Sequence, residues 1–261
     1  MKMDLKEFFV IVLVLGAGLC ILPAYAYDAI PITYSGTKTH VQFDGKWTYE
    51  YEWKESSLNQ YIYDNGNKIV ILRSAHQGNF IYILLDAESD ETINLGADRA
   101  VVCFDTTNKK NNIPNSDDFC FMSILGQKTG VTYQGNTNST TNDGFTQIPN
   151  PEGFIGISSA SDKNDRYSTV PHATYEFRIP TDTIGRSDVY GFYFAVYDDN
   201  TKKYYTYPSE ITVNKMISEP STWGEIYSPD KSLPEFLPLA VLIPAFAFII
   251  LLSRSRNSSQ R

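Results

Sequence analysis

Between two apolar ends, this chain nowhere keeps an apolar period of 3.6 residues for three turns; its periodicity is that of β-strands. Thr174 to Ile179 alternates cleanly. Tyr175, Phe177 and Ile179 fall on one face, Thr174, Glu176 and Arg178 on the other, and Pro180 ends the run. Lys68 to Ala75 and Asn79 to Leu85 are rich in Ile, Val, Leu and Tyr, with Gln77-Gly78 as the turn between them. His40 to Phe43 alternates before Asp44-Gly45. Tyr190 to Tyr197 is almost continuously apolar, as in a strand buried on both faces. Asp198-Asp199-Asn200 then turns the chain, and Lys203 to Tyr207 returns. Short strands punctuated by Gly, Asn and Asp predict an all-β sandwich. The Thr-, Asn- and Gly-rich stretch 126–150 reads as a long loop.

The ends carry a different signal. Lys2 and Lys6 precede an apolar run from Phe8 to Leu22, and Ala24-Tyr25-Ala26 supplies the small residues of a cleavage site. Residues 1–26 therefore read as a secretory signal peptide, with an uncleaved anchor as the alternative. Leu237 to Leu252 is apolar, and Arg254, Arg256 and Arg261 follow it. A basic flank stays on the cytoplasmic side, so 237–253 reads as one transmembrane helix with 254–261 as its basic tail. The run would rise only about 24 Å as a helix, against a hydrocarbon core of about 30 Å. Pro238 and Pro244 interrupt it. Residues 27–228 are then one outward-facing domain, and 229–236 a linker.

Of the 261 residues, the first 26 are charge-neutral and the tail brings three positive charges, so a net charge of −8 leaves about −11 on the remainder. So acidic a surface repels nucleic acid and suits a solvated exterior protein. Once the signal is removed, Cys103 and Cys120 are the only cysteines, and outside the cell they are expected to pair. A bridge there would close the loop 104–119 and stabilise the fold by about 3 kcal/mol. Asn138-Ser139-Thr140 is a glycosylation sequon in a polar stretch.

Several motifs, taken in order, resemble family 9 carbohydrate-binding modules and their DOMON-like relatives. Val41-Gln42-Phe43-Asp44-Gly45-Lys46-Trp47, with Glu52-Trp53, is similar to the family's opening. Phe80 to Leu85 is similar to its "hydrophobic-Tyr-hydrophobic" strand, and Asp98 to Asp105 with Asp117-Asp118 to its "Asp…aromatic-Asp" strand. Tyr175 to Pro180, Gly191 to Asp198 and Trp223-Gly224 complete the set. The resemblance implies an immunoglobulin-like β-sandwich of two antiparallel sheets, in a family whose glycan-binding members clamp a terminal sugar between two tryptophans. It also implies structural Ca²⁺ in some relatives and haem b in others. Ser232-Leu233-Pro234-Glu235-Phe236, ahead of the apolar run, resembles the Pro-Glu-Phe sorting signal of archaeal surface proteins.

Sugar binding needs flat aromatic faces and polar groups that fix hydroxyls. The candidates are Trp223, Trp47, Tyr205 and Tyr207, although a large aromatic in a sandwich is by default a core residue. Hard oxygen donors on loops suit Ca²⁺, which nominates Asp86, Asp90, Asp105 and Asp118 as metal ligands. Met122 and Met216, with His76 or His172, are the haem candidates. No nucleophile signature such as G-x-S-x-G accompanies the three histidines. The expected function is a non-catalytic, cell-surface module that binds a polysaccharide or surface glycan, related to modules that accompany glycoside hydrolases. A structural or adhesive surface-layer component and a haem-binding electron-transfer domain are the alternatives.

Overall fold

The alternation of Thr174 to Ile179 holds in the computed structural model, which describes residues 29–139, 144–209 and 213–228. Ala173, Tyr175, Phe177 and Ile179 of β11 (Ala173–Pro180) point into a central core. Its sheet runs in the order β10 (Ile155–Ala160), β11, β5 (Phe80–Ala87), β4 (Lys68–Gln77) and β2 (Thr33–Tyr34), and β3 (Ser57–Tyr63) also pairs with β4. The facing sheet runs β1 (Ile30–Pro31), β14 (Gly224–Tyr227), β12 (Val189–Asp198), β6 (Arg99–Asp105), β7 (Asp118–Ile124), β8 (Val131–Gly135) and β9 (Phe145–Ile148). β13 (Lys203–Tyr207) shares one edge of β12 with β14. One helical turn, α1 (Thr181–Ile184), follows β11.

The all-β sandwich expected from the sequence is present, with one correction: the sheets are mixed. β1 runs parallel to β14 and β2 parallel to β4, because the N-terminal segment supplies a short edge strand to each sheet in turn. Two local expectations also fail. His40–Phe43 forms no strand; Lys38–His40 is a 3-10 turn, and the chain after it is irregular. The predicted loop 126–150 contains the hairpin β8–β9, in which Phe145 anchors the second strand by stacking on Trp223. The signal, sorting and membrane segments (1–26, 229–261) lie outside the described residues. Among the described residues, no helix is long and apolar enough to cross a membrane.

Both sheets are buried on both faces along their central strands. In β12, Phe192, Phe194 and Val196 enter the central core, while Tyr193 and Ala195 point the other way into a second cluster with Trp223, Ile217 and the Cys103–Cys120 pair. That explains why Tyr190 to Tyr197 shows no alternation. The two cysteines sit opposite one another on β6 and β7 and are joined as a disulfide, as expected. On the far side, residues 36–56 cover the outer face of the six-stranded sheet, with Trp47, Trp53, Tyr82 and Leu84 forming a third cluster.

Glu176 fastens that cover. Its carboxylate accepts from the amides of Asp44 (3.1 Å) and Gly45 (2.8 Å) and from Trp53 Nε1 (3.0 Å). Gly45 has φ of +90°, and a Cβ there would lie 2.4 Å from the Ser158 carbonyl carbon and the Ser159 amide nitrogen. Both the left-handed backbone and the approach to β10 require glycine. Gly45→Ala is therefore expected to destabilise the fold by about 2–4 kcal/mol, read as a fall in the urea midpoint with unchanged slope; a change within about 0.5 kcal/mol would contradict this packing.

Candidate functional site

The four aromatics nominated from the sequence are packing residues in this structure. Trp223 is 1% exposed, with its ring near-parallel to Phe145 and Tyr193 and its Nε1 donating to the Ser218 carbonyl at 3.2 Å. Trp47 is 6% exposed and lies against Tyr167 and the guanidinium groups of Arg73 and Arg166. Tyr205 and Tyr207, 4% and 5% exposed, belong to the central core and pack on Tyr63 and Tyr61. Trp47 and Trp223 also stand on opposite outer faces of the sandwich. Asn138 is exposed just beyond β8.

An aromatic groove that sequence reasoning missed opens on the outer face of the six-stranded sheet. Phe43, from the cover, stacks on Tyr82 of β5 (centroids 6.2 Å, planes 20° apart), and Phe80 meets Tyr82 edge-on at 6.4 Å. Arg178, opposite Tyr82 in the β11–β5 register, lies over both Phe80 (4.7 Å) and Phe43 (5.6 Å). Its Nε donates to the Gly153 carbonyl at 3.0 Å, which holds the guanidinium in place. Lys38, Gln77 and Asn79 complete the walls of an open groove of about 540 Å³. Burial lowers Lys38 to about 8, even with Glu55 and Glu52 pulling it upward; its Nζ sits 4.8 Å above the Trp53 ring and donates to the Glu52 carbonyl. The sequence signal for this groove was the i, i+2 pair Phe80/Tyr82 on the strand face that the notional core did not use.

The nominated carboxylates separate into different settings. Asp105 and Asp118 face each other across β6 and β7, and both act as loop caps. Asp105 accepts from the amides of Thr107 and Lys110, and Asp118 from that of Asn115. Asp90 instead converges with Asp98 and Asp198, two residues not nominated as ligands. Asp90 is 4% exposed and neither of its oxygens has a hydrogen-bond partner. Asp98 takes the amides of Asn94 (2.7 Å) and Asp199 (2.9 Å), and Asp198 takes that of Thr201 and stands 3.3 Å from Lys68 Nζ. Three buried carboxylates, one of them orphaned, fit a Ca²⁺ ion. Asp86 lies in another cluster, with Asp165 and His172.

The haem candidates do not converge. Met122 and Met216 pack against the second cluster, on the eight-stranded sheet. His172 is buried on the other sheet, and His76 contacts Tyr34 and Ser228. Ser161 Oγ and Asp86 flank His172 at Nδ1 and Nε2, but all three are buried, and Ser161 Oγ already accepts the His172 amide.

No family model matches the chain, and no curated protein matches it. Among solved structures, it is similar to a family 9 carbohydrate-binding module from Caldicellulosiruptor kristjanssonii in complex with cellotriose: 16% identity over 81% of this chain and 98% of that one, with a TM-score of 0.48. A family 9 module from the same organism in complex with glucose gives 15% identity over 80% and 99%, with a TM-score of 0.46.

Buried acids set a pH dependence. Burial raises Glu176 from 4.5 to about 8 and outweighs the donors that favour its anion, and it raises Asp118 from 3.8 to about 7. Each binds its proton more tightly folded than unfolded, so its stabilisation is complete below the unfolded value and lost as pH rises through the folded one. For His172, burial opposes the charge, but Asp86, the Val170 carbonyl and Asp165 prevail and raise it from 6.5 to about 9; its contribution fades in the same direction. The urea midpoint of the chelator-treated protein is therefore expected to fall steadily from pH 5 to pH 8, with a shallower slope in Glu176→Gln. A midpoint that rises over this window would contradict the assignment.

Proposed function

We propose that this chain is a non-catalytic carbohydrate-binding β-sandwich, and that the Phe43–Phe80–Tyr82–Arg178 groove is its sugar site. The groove is the observation that carries this reading. Two half-buried phenyl rings offer apolar surface to the flat face of a pyranose, and a fixed guanidinium offers donors to its hydroxyls. Gln77 and Asn79 stand at the rim with further donors and acceptors. The ordered family 9-like motifs support the same function, and the apolar ends of the sequence support display on the cell surface with a membrane anchor. The burial of Trp223, Trp47, Tyr205 and Tyr207 favours a second reading, a structural or adhesive surface-layer component in which the aromatics serve packing alone.

Isothermal titration of the purified full-length chain with glucose, cellotriose and other soluble oligosaccharides tests the first reading. Saturable binding is expected, weakened at least tenfold by Phe43→Ala, since each lost aromatic contact costs about 1.5 kcal/mol or more with its buried area. Absence of binding across a glycan array, or undiminished binding by Phe43→Ala with its circular dichroism intact, would favour the structural reading.

In the same proposal, Asp90, Asp98 and Asp198 hold a structural Ca²⁺ that ties the segment after β5 to the β12–β13 turn. Bound there, the ion would offset the repulsion among three buried carboxylates. Treatment with EDTA is expected to lower the melting temperature, and added Ca²⁺ to restore it in the wild type but not in Asp90→Asn. Equal melting curves with and without Ca²⁺ would remove the ion from the account.

A further inference from the structure

We propose that Asp86, Asp165 and His172 form a second, separate metal site, one that takes a divalent transition-metal ion of the zinc class and locks the loop 161–172 onto the six-stranded sheet. Asp86 lies near the end of β5, His172 directly precedes β11, and Asp165 sits in the loop between β10 and β11. All three side chains are closed to solvent, 0% exposed for Asp86 and His172 and 1% for Asp165.

The imidazole indicates what occupies the centre. His172 Nδ1 lies 2.8 Å from the Val170 carbonyl oxygen, an acceptor only, so Nδ1 carries the proton. Nε2 then faces Asp86 Oδ1 at 2.8 Å and Asp165 Oδ1 at 3.8 Å, as an imidazolium N–H without a metal and as a lone pair once a metal ion displaces that proton. Two acceptors at 2.8 Å repel unless a proton or a metal ion joins them. At that distance a proton would be poorly aligned, since neither Nε2 nor either Asp86 oxygen meets the angular requirement of a hydrogen bond. Contact without donor alignment is the arrangement of two ligands around one ion. A ligating histidine also characteristically donates its other N–H to a carbonyl, which fixes the tautomer.

Charge and donor type narrow the ion. Neither Asp86 nor Asp165 forms an ion pair with a Lys or Arg among the described residues. Arg73, close by, spends its donors on the Tyr167 hydroxyl (2.7 Å) and the Ser56 carbonyl (3.2 Å). The imidazolium balances only one of the two buried carboxylates, whereas a divalent cation that displaces its Nε2 proton balances both. Asp165 Oδ1 is occupied by the amides of Tyr167 and Ser168, whereas its Oδ2 is buried without a partner and free to ligate. One imidazole nitrogen with carboxylate oxygens suits Zn²⁺ and its neighbours rather than Ca²⁺, which takes oxygen ligands. Arg166 and Tyr167 of the same loop pack on Trp47, so the ion would hold one flank of the sheet's cover in place.

The test uses the full-length chain, stripped with EDTA and dialysed against Co²⁺ as a spectroscopic probe and, separately, against Zn²⁺. One equivalent of Co²⁺ with visible d–d absorption is expected, displaced by Zn²⁺, with the His172 ring ¹⁵N resonance shifting on Zn²⁺ addition. Affinity is expected to fall about 10–100-fold in Asp165→Asn, and further in His172→Ala. Failure of the wild type to retain either ion, or a His172 Nε2–H proton that persists with Zn²⁺ in excess, would overturn the proposal, as would undiminished uptake by the variants. The ¹⁵N readout on the wild type decides even if a variant does not fold. The outcome is independent of sugar binding, which is measured at a different site.

Discussion

The outer layer on the six-stranded sheet depends on one buried carboxylate. Glu176 receives three N–H groups, two from the Asp44-Gly45 turn and one from the Trp53 indole, and thereby joins a loop to a strand more than 120 residues later in sequence. Taking a carboxylate out of water is costly, and these donors offset only part of that cost, so Glu176 holds its proton up to about 8. Here each donor comes from the segment that must be held down. Two family-like motifs far apart in sequence, the Asp-Gly opening and the Tyr-Glu strand, thus turn out to be the two sides of a single contact. Phe43, which builds the groove, hangs on the same turn.

The second organising fact is that each sheet is covered twice. Tyr193 and Phe194 are adjacent in β12 and bury on opposite sides, one against Trp223 and the other in the central core. Many of the aromatic rings therefore fill three apolar clusters rather than one, and the four nominated as sugar platforms are among the buried ones. The groove lies where the cover thins, at the β4–β5 hairpin, and leaves Phe43 and Phe80 half-buried along it.

Strand identity was legible wherever a segment had either clean alternation or a long apolar run, as in Thr174–Ile179 and Tyr190–Tyr197. It was not legible where a tertiary contact makes the strand. Phe145 in β9 stands among Thr, Asn and Gly in sequence, and its place is set by packing into the second cluster, where it stacks on Trp223. His40–Phe43 alternates, yet Gln42 donates its amide to Glu52 and the Asp44 amide goes to Glu176, so its backbone is engaged outside any sheet. The acidic clusters were legible as composition but not as sites. Asp98 and Asp198 are brought together by the register of β6 and β12 while Asp90 reaches them from the segment after β5 of the other sheet, and Asp86 meets His172 because β5 and β11 are neighbours, neither of which spacing along the chain reveals.

The disulfide between β6 and β7 spans the mouth of the loop 106–117, which carries Lys109 at the surface. Both bridged residues lie in adjacent strands of the eight-stranded sheet, paired through seven residues of register. A protease that cut the backbone at Lys109 would generate two polypeptides still joined covalently through sulfur and interlocked by that sheet. Such scission would remain invisible on a denaturing gel until a reductant was added, so the bridge makes this strand pair indifferent to the intactness of its own connection.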